Sequence, residues 1–231
     1  MITVETIRER HSVREYDGGP LDQAEFDALG AVVEECARES GLDIQLVGDN
    51  PEVFNVIARF GLIRGCRTHV AFVIDDGKAC GVVDDEAIGY WGQKIVLAAQ
   101  DMGLNTCWCA LCSRKKSRAV VAPGKKIRLI IAVGHGKTQG FSRKTKSVEA
   151  LSSVECAKAP AWFAAAMEAA QLAPTAMNNQ NFKITLLSDG KTVRIDAPQN
   201  GLNVIDEGIV RCNFEIAANE AGADWRWERD I

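Results

Sequence analysis

The chain has 231 residues, 47% of them hydrophobic and 25% charged, as expected of a soluble globular protein that buries a core in one large or two small domains. A formal net charge of −4 argues against a general nucleic-acid binder, and no apolar run approaches the ~20 residues of a membrane helix. The opening residues are too charged for the centre of a secretory signal, and eight cysteines without a framework spacing fit a reducing compartment, so a cytoplasmic protein is expected.

The first informative run is Arg8-Glu9-Arg10-His11-Ser12-Val13-Arg14-Glu15-Tyr16, broken at Asp17-Gly18-Gly19-Pro20. Arginine offers a planar fork of donors suited to phosphate oxygens, and serine adds a short donor. In an extended segment Arg10, Ser12 and Arg14 share one face. A solvated charged segment is the alternative reading, and it suits Arg8 best.

A helix is expected over 21–39, with Asp22 near its start and an end at Ser40-Gly41, followed by a strand at Asp43–Val47. A helical piece at Val53–Phe60 precedes a buried strand, Thr68–Ile74, which ends at Asp75-Asp76-Gly77. His69 lies inside that strand and reads as a structural histidine rather than a ligand. The strongest helix is Asp85–Met102, whose Gly89 and Gly92 permit close helix contact and whose C-cap is Gly103.

Cys107, Cys109 and Cys112 follow; without histidine partners or paired motifs they read as core thiols rather than a metal site. Arg114, Lys115, Lys116 and Arg118 read as a solvated helix face. A strand at Ile127–Val133 ends at Gly134-His135-Gly136, where glycines allow close approach of a ligand and later cations, Arg143 and Lys144 among them, could neutralise a phosphate.

In the last third, a helix over 160–172 is stopped by Pro174, and a strand over Phe182–Leu187 closes at Asp189-Gly190. Between them Leu172-Ala173-Pro174-Thr175-Ala176-Met177-Asn178-Asn179-Gln180-Asn181-Phe182 crowds short side chains carrying donors and acceptors onto one turn. Such a turn can present hydrogen bonds to a flat polar ring, or can serve only its own capping and Asx-turn chemistry. The helix over 207–222 resembles that over 87–103, and tryptophans follow both: Trp108 after one, Trp225 and Trp227 after the other. The two halves thus read as an internal repeat with a pseudo-twofold core.

Arg10–Tyr16, the Ala-rich central helix and Gly103-Leu104-Asn105-Thr106-Cys107-Trp108 together resemble the FMN-dependent nitroreductase family. Ala173–Phe182 is similar to that family's PSxxNxQPW flavin loop, with Asn181 and Phe182 where Pro and Trp are usual, and Gly134–Lys146 more loosely resembles its cofactor-phosphate segment. The flavin loop is missing after the first helix, at Glu39–Asp43, and the arginine motif is missing from the second half, at Ser152–Ala157. That order resembles the fused-repeat nitroreductases known from Thermotoga, in which two complementary halves replace a dimer.

The resemblance implies an α+β, nitroreductase-like fold with a mainly antiparallel central sheet flanked by helices. Its fused repeats would be residues 1–150 and 151–231, packed as one globular unit. It implies one FMN per chain, with a monomer sufficient to complete the site. Arg10, Ser12 and Arg143 or Lys144 would hold the phosphate, with His11 in the same motif. Arg14 would sit near N1 and O2 of the ring, and Pro174, Thr175, Ala176, Asn178 and Gln180 would line the ring or ribityl chain. No side chain is implied as a nucleophile, no metal is implied, and the partners would be NAD(P)H and a small planar acceptor such as a nitroaromatic or quinone. A flavin-binding sensor or carrier without turnover is the alternative, since the departures at Asn181 and Phe182 could close the substrate face.

Overall fold

The computed structural model of the chain describes residues 2–54, 63–76, 82–155 and 158–229. The expected helix at Val53–Phe60 lies outside these beyond Phe54, as do Gly77 of the expected turn and Cys156 and Ala157. The chain forms two compact units: residues 10–80 with 94–142, and residues 1–9 with 81–93 and 143–231. These units interleave the sequence stretches 1–150 and 151–231.

In the unit containing residues 10–80, helix α2 (Gln23–Ser40) has local signals at both ends. The Asp22 carboxylate accepts from the Glu25 amide (2.8 Å) while the Glu25 carboxylate accepts from the Asp22 amide (2.9 Å), a reciprocal cap. Gly41, at φ +70°, closes the other end and donates to the Ala37 carbonyl. Its inward face, Leu29, Val33 and Cys36, is buried.

Strand β1 (Asp43–Val47) pairs antiparallel with β2 (Thr68–Asp75), β2 with β4 (Lys125–Gly134), and β4 with β3 (Asn105–Cys109), giving the order β1-β2-β4-β3. The central strands are apolar on both faces, so Val70, Ala71 and Phe72 and their neighbours Ile130, Ile131 and Ala132 are all buried. His69 is fully buried, its Nε2 lies 2.8 Å from the Ser117 hydroxyl, and burial pushes its pKa down to about 4, so the ring is neutral. Arg114 does not sit on a solvated helix: it begins a short 3-10 turn and donates to the carbonyls of Ile127 and Arg128.

In the other unit, α1 (Val4–Glu9), α4 (Val148–Leu151), α5 (Ala161–Gln171) and α6 (Asn203–Glu220) accompany the first part of α3 (Val82–Asp101). β5 (Lys183–Leu186) pairs antiparallel with β6 (Thr192–Asp196), and β7 (Arg226–Trp227) adds to β6 in parallel. The strands form two sheets, one in each unit, and the four-stranded one is antiparallel throughout, as the sequence leads one to expect. α5 packs on α6, and Phe214 of α6 is ringed by Trp162, Phe163, Trp225 and Trp227 at centroid distances of 5.1–6.4 Å.

The first part of α3 crosses α6 where neither helix has room for a side chain. A Cβ on Gly89 would lie 2.0 Å from the Ile205 carbonyl oxygen, and one on Gly208 would lie 2.0 Å from the Glu86 carbonyl oxygen. Glycine at both positions lets the backbones touch. Around this crossing α6 buries polar groups. Arg211 meets Glu86 at 2.7 Å, Arg229 meets Glu86 at 2.7 Å and Glu207 at 3.1 Å, and Gln93 donates to Asn213 at 2.9 Å. The Arg211 guanidinium also lies 4.6 Å over the Trp227 ring. Among the described residues no helix is long and apolar enough to cross a membrane.

Candidate functional site

The chain leaves α1 at Glu9 and runs extended through the arginine segment. Ser12 forms a parallel bridge with Thr106, the Val13 amide donates to the Thr106 carbonyl (3.0 Å), and Tyr16 forms an antiparallel bridge with Gly136. Val13 and Tyr16 are buried, whereas Ser12 and Arg14 are half-buried. The expected shared face of Arg10, Ser12 and Arg14 rests on this extended backbone.

Arg10 is the anomalous residue. It is only 8% exposed, its Nε is buried without a hydrogen-bond partner, and no carboxylate or carbonyl among the described residues meets its guanidinium. Burial lowers its pKa to about 10, with nearby Cys107 acting in the opposite sense, so it remains a cation at neutral pH. A buried charge without a partner is costly, and an anion would offset that cost. The Ser12 hydroxyl and the Arg14 guanidinium likewise have no hydrogen-bond partner among the described residues.

The segment after β4 closes onto this strand. A Cβ on Gly140 would lie 2.7 Å from His11 Cβ, and one on Gly136 would lie 2.6 Å from Asn105 Oδ1, which accepts from the Gly136 amide. The close approach that these glycines permit is therefore to the protein's own arginine segment. His11 Nε2 sits 3.1 Å from the Ser142 hydroxyl.

In the other unit, the polar loop is held by the protein from several sides. Gln180 is 2% exposed; its Oε1 accepts from the Lys146 amide (2.7 Å), its Nε2 donates to the Gln171 carbonyl (2.9 Å), and its amide donates to Thr175 Oγ1 (3.0 Å). Asn178 Nδ2 donates to the Lys144 carbonyl at 2.8 Å. Met177, Asn178 and Gln180 all have φ between +47° and +56°, a conformation that non-glycine residues adopt at a cost. Thr175 and Gln180 carry local turn chemistry, and Asn178, half-buried, spends one side-chain N–H on the Lys144 carbonyl. Arg143 and Lys144 are exposed; Asn181 is exposed and Phe182 is buried.

Asp206, in the first turn of α6, was not singled out from the sequence. Both its oxygens lie 2.9 Å from the Ala176 amide, so this carboxylate takes the loop's N–H. Burial pushes its pKa from the ordinary 3.8 up to about 7, partly offset by that amide. A raised carboxyl pKa in the fold means a stability contribution that is full below pH ~4 and lost as the pH rises through ~7. Asp206→Asn keeps an acceptor for Ala176 without the charge. It is expected to be more stable than wild type at pH 8 by on the order of 2–4 kcal/mol, with the gap closing by pH 4.5. Parallel stability curves for the two proteins in urea across that range would contradict this.

The all-antiparallel four-stranded sheet, the long Ala-rich helix and the arginine segment laid beside the sheet belong to a protein of the nitroreductase fold. The chain is a member of the family described as "Putative TM nitroreductase", whose model matches residues 2–218. Among solved structures it is similar to a "putative nitroreductase" of Thermotoga maritima, at 20% identity and a TM-score of 0.66, covering 100% of this chain and 90% of that one. It is also similar to a "putative nitroreductase in complex with FMN" of Desulfovibrio desulfuricans, at 19% identity and a TM-score of 0.51, covering 66% and 95%. Nitroreductase A of Vibrio parahaemolyticus matches at 16% identity and a TM-score of 0.50, covering 64% and 74%. A comparison with curated proteins gave no match.

Proposed function

We propose that this chain binds one FMN and acts as an NAD(P)H-dependent oxidoreductase that reduces nitroaromatics, quinones or similar planar acceptors in a ping-pong cycle. Family membership supports the flavin-dependent oxidoreductase class, and the observation that carries the cofactor reading is the buried, unpartnered guanidinium of Arg10. The residues present fit the group: a buried cation, a hydroxyl at Ser12 and a second arginine on one extended segment, these groups all without a hydrogen-bond partner among the described residues, suit a phosphate and an electron-rich ring.

When bound, FMN supplies the two-electron chemistry between nicotinamide donor and acceptor. The chain supplies position and charge. Arg10 and Ser12 would hold the phosphate, with Arg143 and Lys144 as further candidates from the family's phosphate segment, and His11 is oriented by Ser142. Arg14 would favour negative charge on the pyrimidine side of the ring. Thr175 and Asn178, in the turn that Pro174 begins, would offer hydrogen bonds to the ring or ribityl chain, with Ala176 held by Asp206. Gln180, bonded to Lys146 and Gln171, keeps that turn in shape.

The internal repeat belongs to the same proposal. The pairs Gly89 and Gly208, Glu86 and Ile205, Tyr90 and Ile209, and Trp108 and Trp227 stand at one constant sequence offset. The α3–α6 contacts are reciprocal: Gly89 meets Ile205 and Ile209 as Gly208 meets Glu86 and Tyr90. Reciprocal contact is the mark of a twofold interface, here supporting two copies within one chain.

The test of turnover is to mix FMN-loaded protein anaerobically with NADH or NADPH. Loss of the flavin's visible absorbance, and its return on adding a quinone, is expected. A flavin that stays oxidised with both donors would sink the enzymatic reading and leave a flavin-binding sensor or carrier.

A further inference from the structure

Cys109 and Cys112 stand three positions apart in a Cys-Ala-Leu-Cys turn that the flavin reading does not use. Cys109 ends β3 and is buried; the chain turns through the exposed Ala110 and Leu111 and returns with Cys112 half-buried. The Cys112 thiol donates to the Cys109 carbonyl at 3.6 Å and the Cys109 thiol donates to the Leu111 carbonyl at 3.4 Å, so both sulfurs turn into the same tight loop. Both are free cysteines. Cys66 and Cys107 lie deeper in the same core cluster.

We propose that Cys109 and Cys112 form a reversible dithiol–disulfide couple that exchanges with low-molecular-weight disulfides of the glutathione class. The tight turn, with each thiol bonded to a carbonyl inside it, supplies the pairing, and the solvent-facing Ala110-Leu111 stretch supplies the approach to Cys112. Cys112 is the attacking thiol. Its pKa is lowered by the hydrogen bond from Cys109 and by Arg114, whereas Cys109 is raised by that shared bond and by burial. Arg114 is fixed for this by its bonds to the Ile127 and Arg128 carbonyls.

The exchange balances in two steps. The Cys112 thiolate attacks one sulfur of the external disulfide, breaking its S–S bond and forming a mixed disulfide; the expelled thiolate takes up the proton that Cys112 has released. Cys109 then loses its proton and attacks Cys112 Sγ, expelling the second external thiolate, which is protonated in turn. Two electrons pass from the protein to the external disulfide, giving one Cys109–Cys112 bond and two small thiols. The proposal is independent of the flavin reading.

Its test is equilibration of the full chain in reduced and oxidised glutathione at graded ratios, followed by acid quench, alkylation and peptide mapping. The expected result is a Cys109–Cys112 link at oxidising ratios that is lost at reducing ones. The pH profile of Cys112 alkylation should have a midpoint below the ~8.5 of an ordinary thiol. Cys109→Ser should accumulate a lasting glutathione adduct on Cys112. Wild-type protein in which both thiols remain alkylatable at every ratio, or in which Cys112 keeps a stable glutathione adduct, would overturn the proposal. An alkylation midpoint at or above ~8.5 would overturn the role given to Cys112.

Discussion

Replacing Glu86 by alanine is expected to lower the unfolding free energy by about 3–5 kcal/mol, among the largest losses a single substitution can cause in this chain. Glu86 is 1% exposed and stands at 2.7 Å from both Arg211 and Arg229, so it neutralises the fully buried Arg211 where water cannot. Burial already lowers the Arg211 pKa, with Glu86 as the main opposing influence. Without Glu86 the guanidinium keeps only Trp227, the Arg229 carbonyl and more distant charge.

The ion pair itself is not expected to contribute that much. Most of the loss is the penalty of a buried charge left alone, so the double variant Glu86→Leu with Arg211→Met should be more stable than Glu86→Ala. Urea unfolding of the three proteins checks this. A loss below ~1 kcal/mol for Glu86→Ala would mean that Arg211 reaches solvent or another anion.

Arg10→Met is expected to weaken FMN binding by roughly 2–4 kcal/mol, or ~30- to 1000-fold in Kd, without lowering the stability of the flavin-free protein. The two halves of that expectation share a cause. A buried arginine with an orphaned Nε and no carboxylate partner among the described residues disfavours the ligand-free fold, so an apolar side chain of similar length removes a cost. The same substitution deletes the donors proposed for the phosphate. Isothermal titration with FMN, beside thermal melts of the flavin-free proteins, reads both. Unchanged affinity together with a lower melting temperature would make Arg10 a structural residue and remove the phosphate assignment.

The sequence was most legible where structure is local. Asp22, Glu25 and Gly41 mark the ends of α2 within a few residues of the positions they cap, and the apolar runs of β2 and β4 identify themselves. Arg10, Ser12 and Arg14 were readable because their alternation needs only an extended backbone. The polar residues of α6 were not, because their partners come from elsewhere in the chain: Glu86 for Arg211, Gln93 for Asn213 and Arg229 for Glu207. For the same reason Gln180 reads as a ligand-facing amide in sequence, whereas remote groups at Lys146 and Gln171 bind it in the fold. Six-residue α1 and two-residue β7 are too short for periodicity to show.

The most direct test of the central claim is a count of flavin. Purified protein is saturated with FMN, freed of unbound cofactor by gel filtration, and its visible absorbance is compared with the protein concentration. One equivalent per chain is the result the account predicts, with one complete site built from complementary motifs. Protein that emerges colourless, at a concentration where FMN-binding nitroreductases retain their flavin, would contradict it, and two equivalents would contradict the single-site reading.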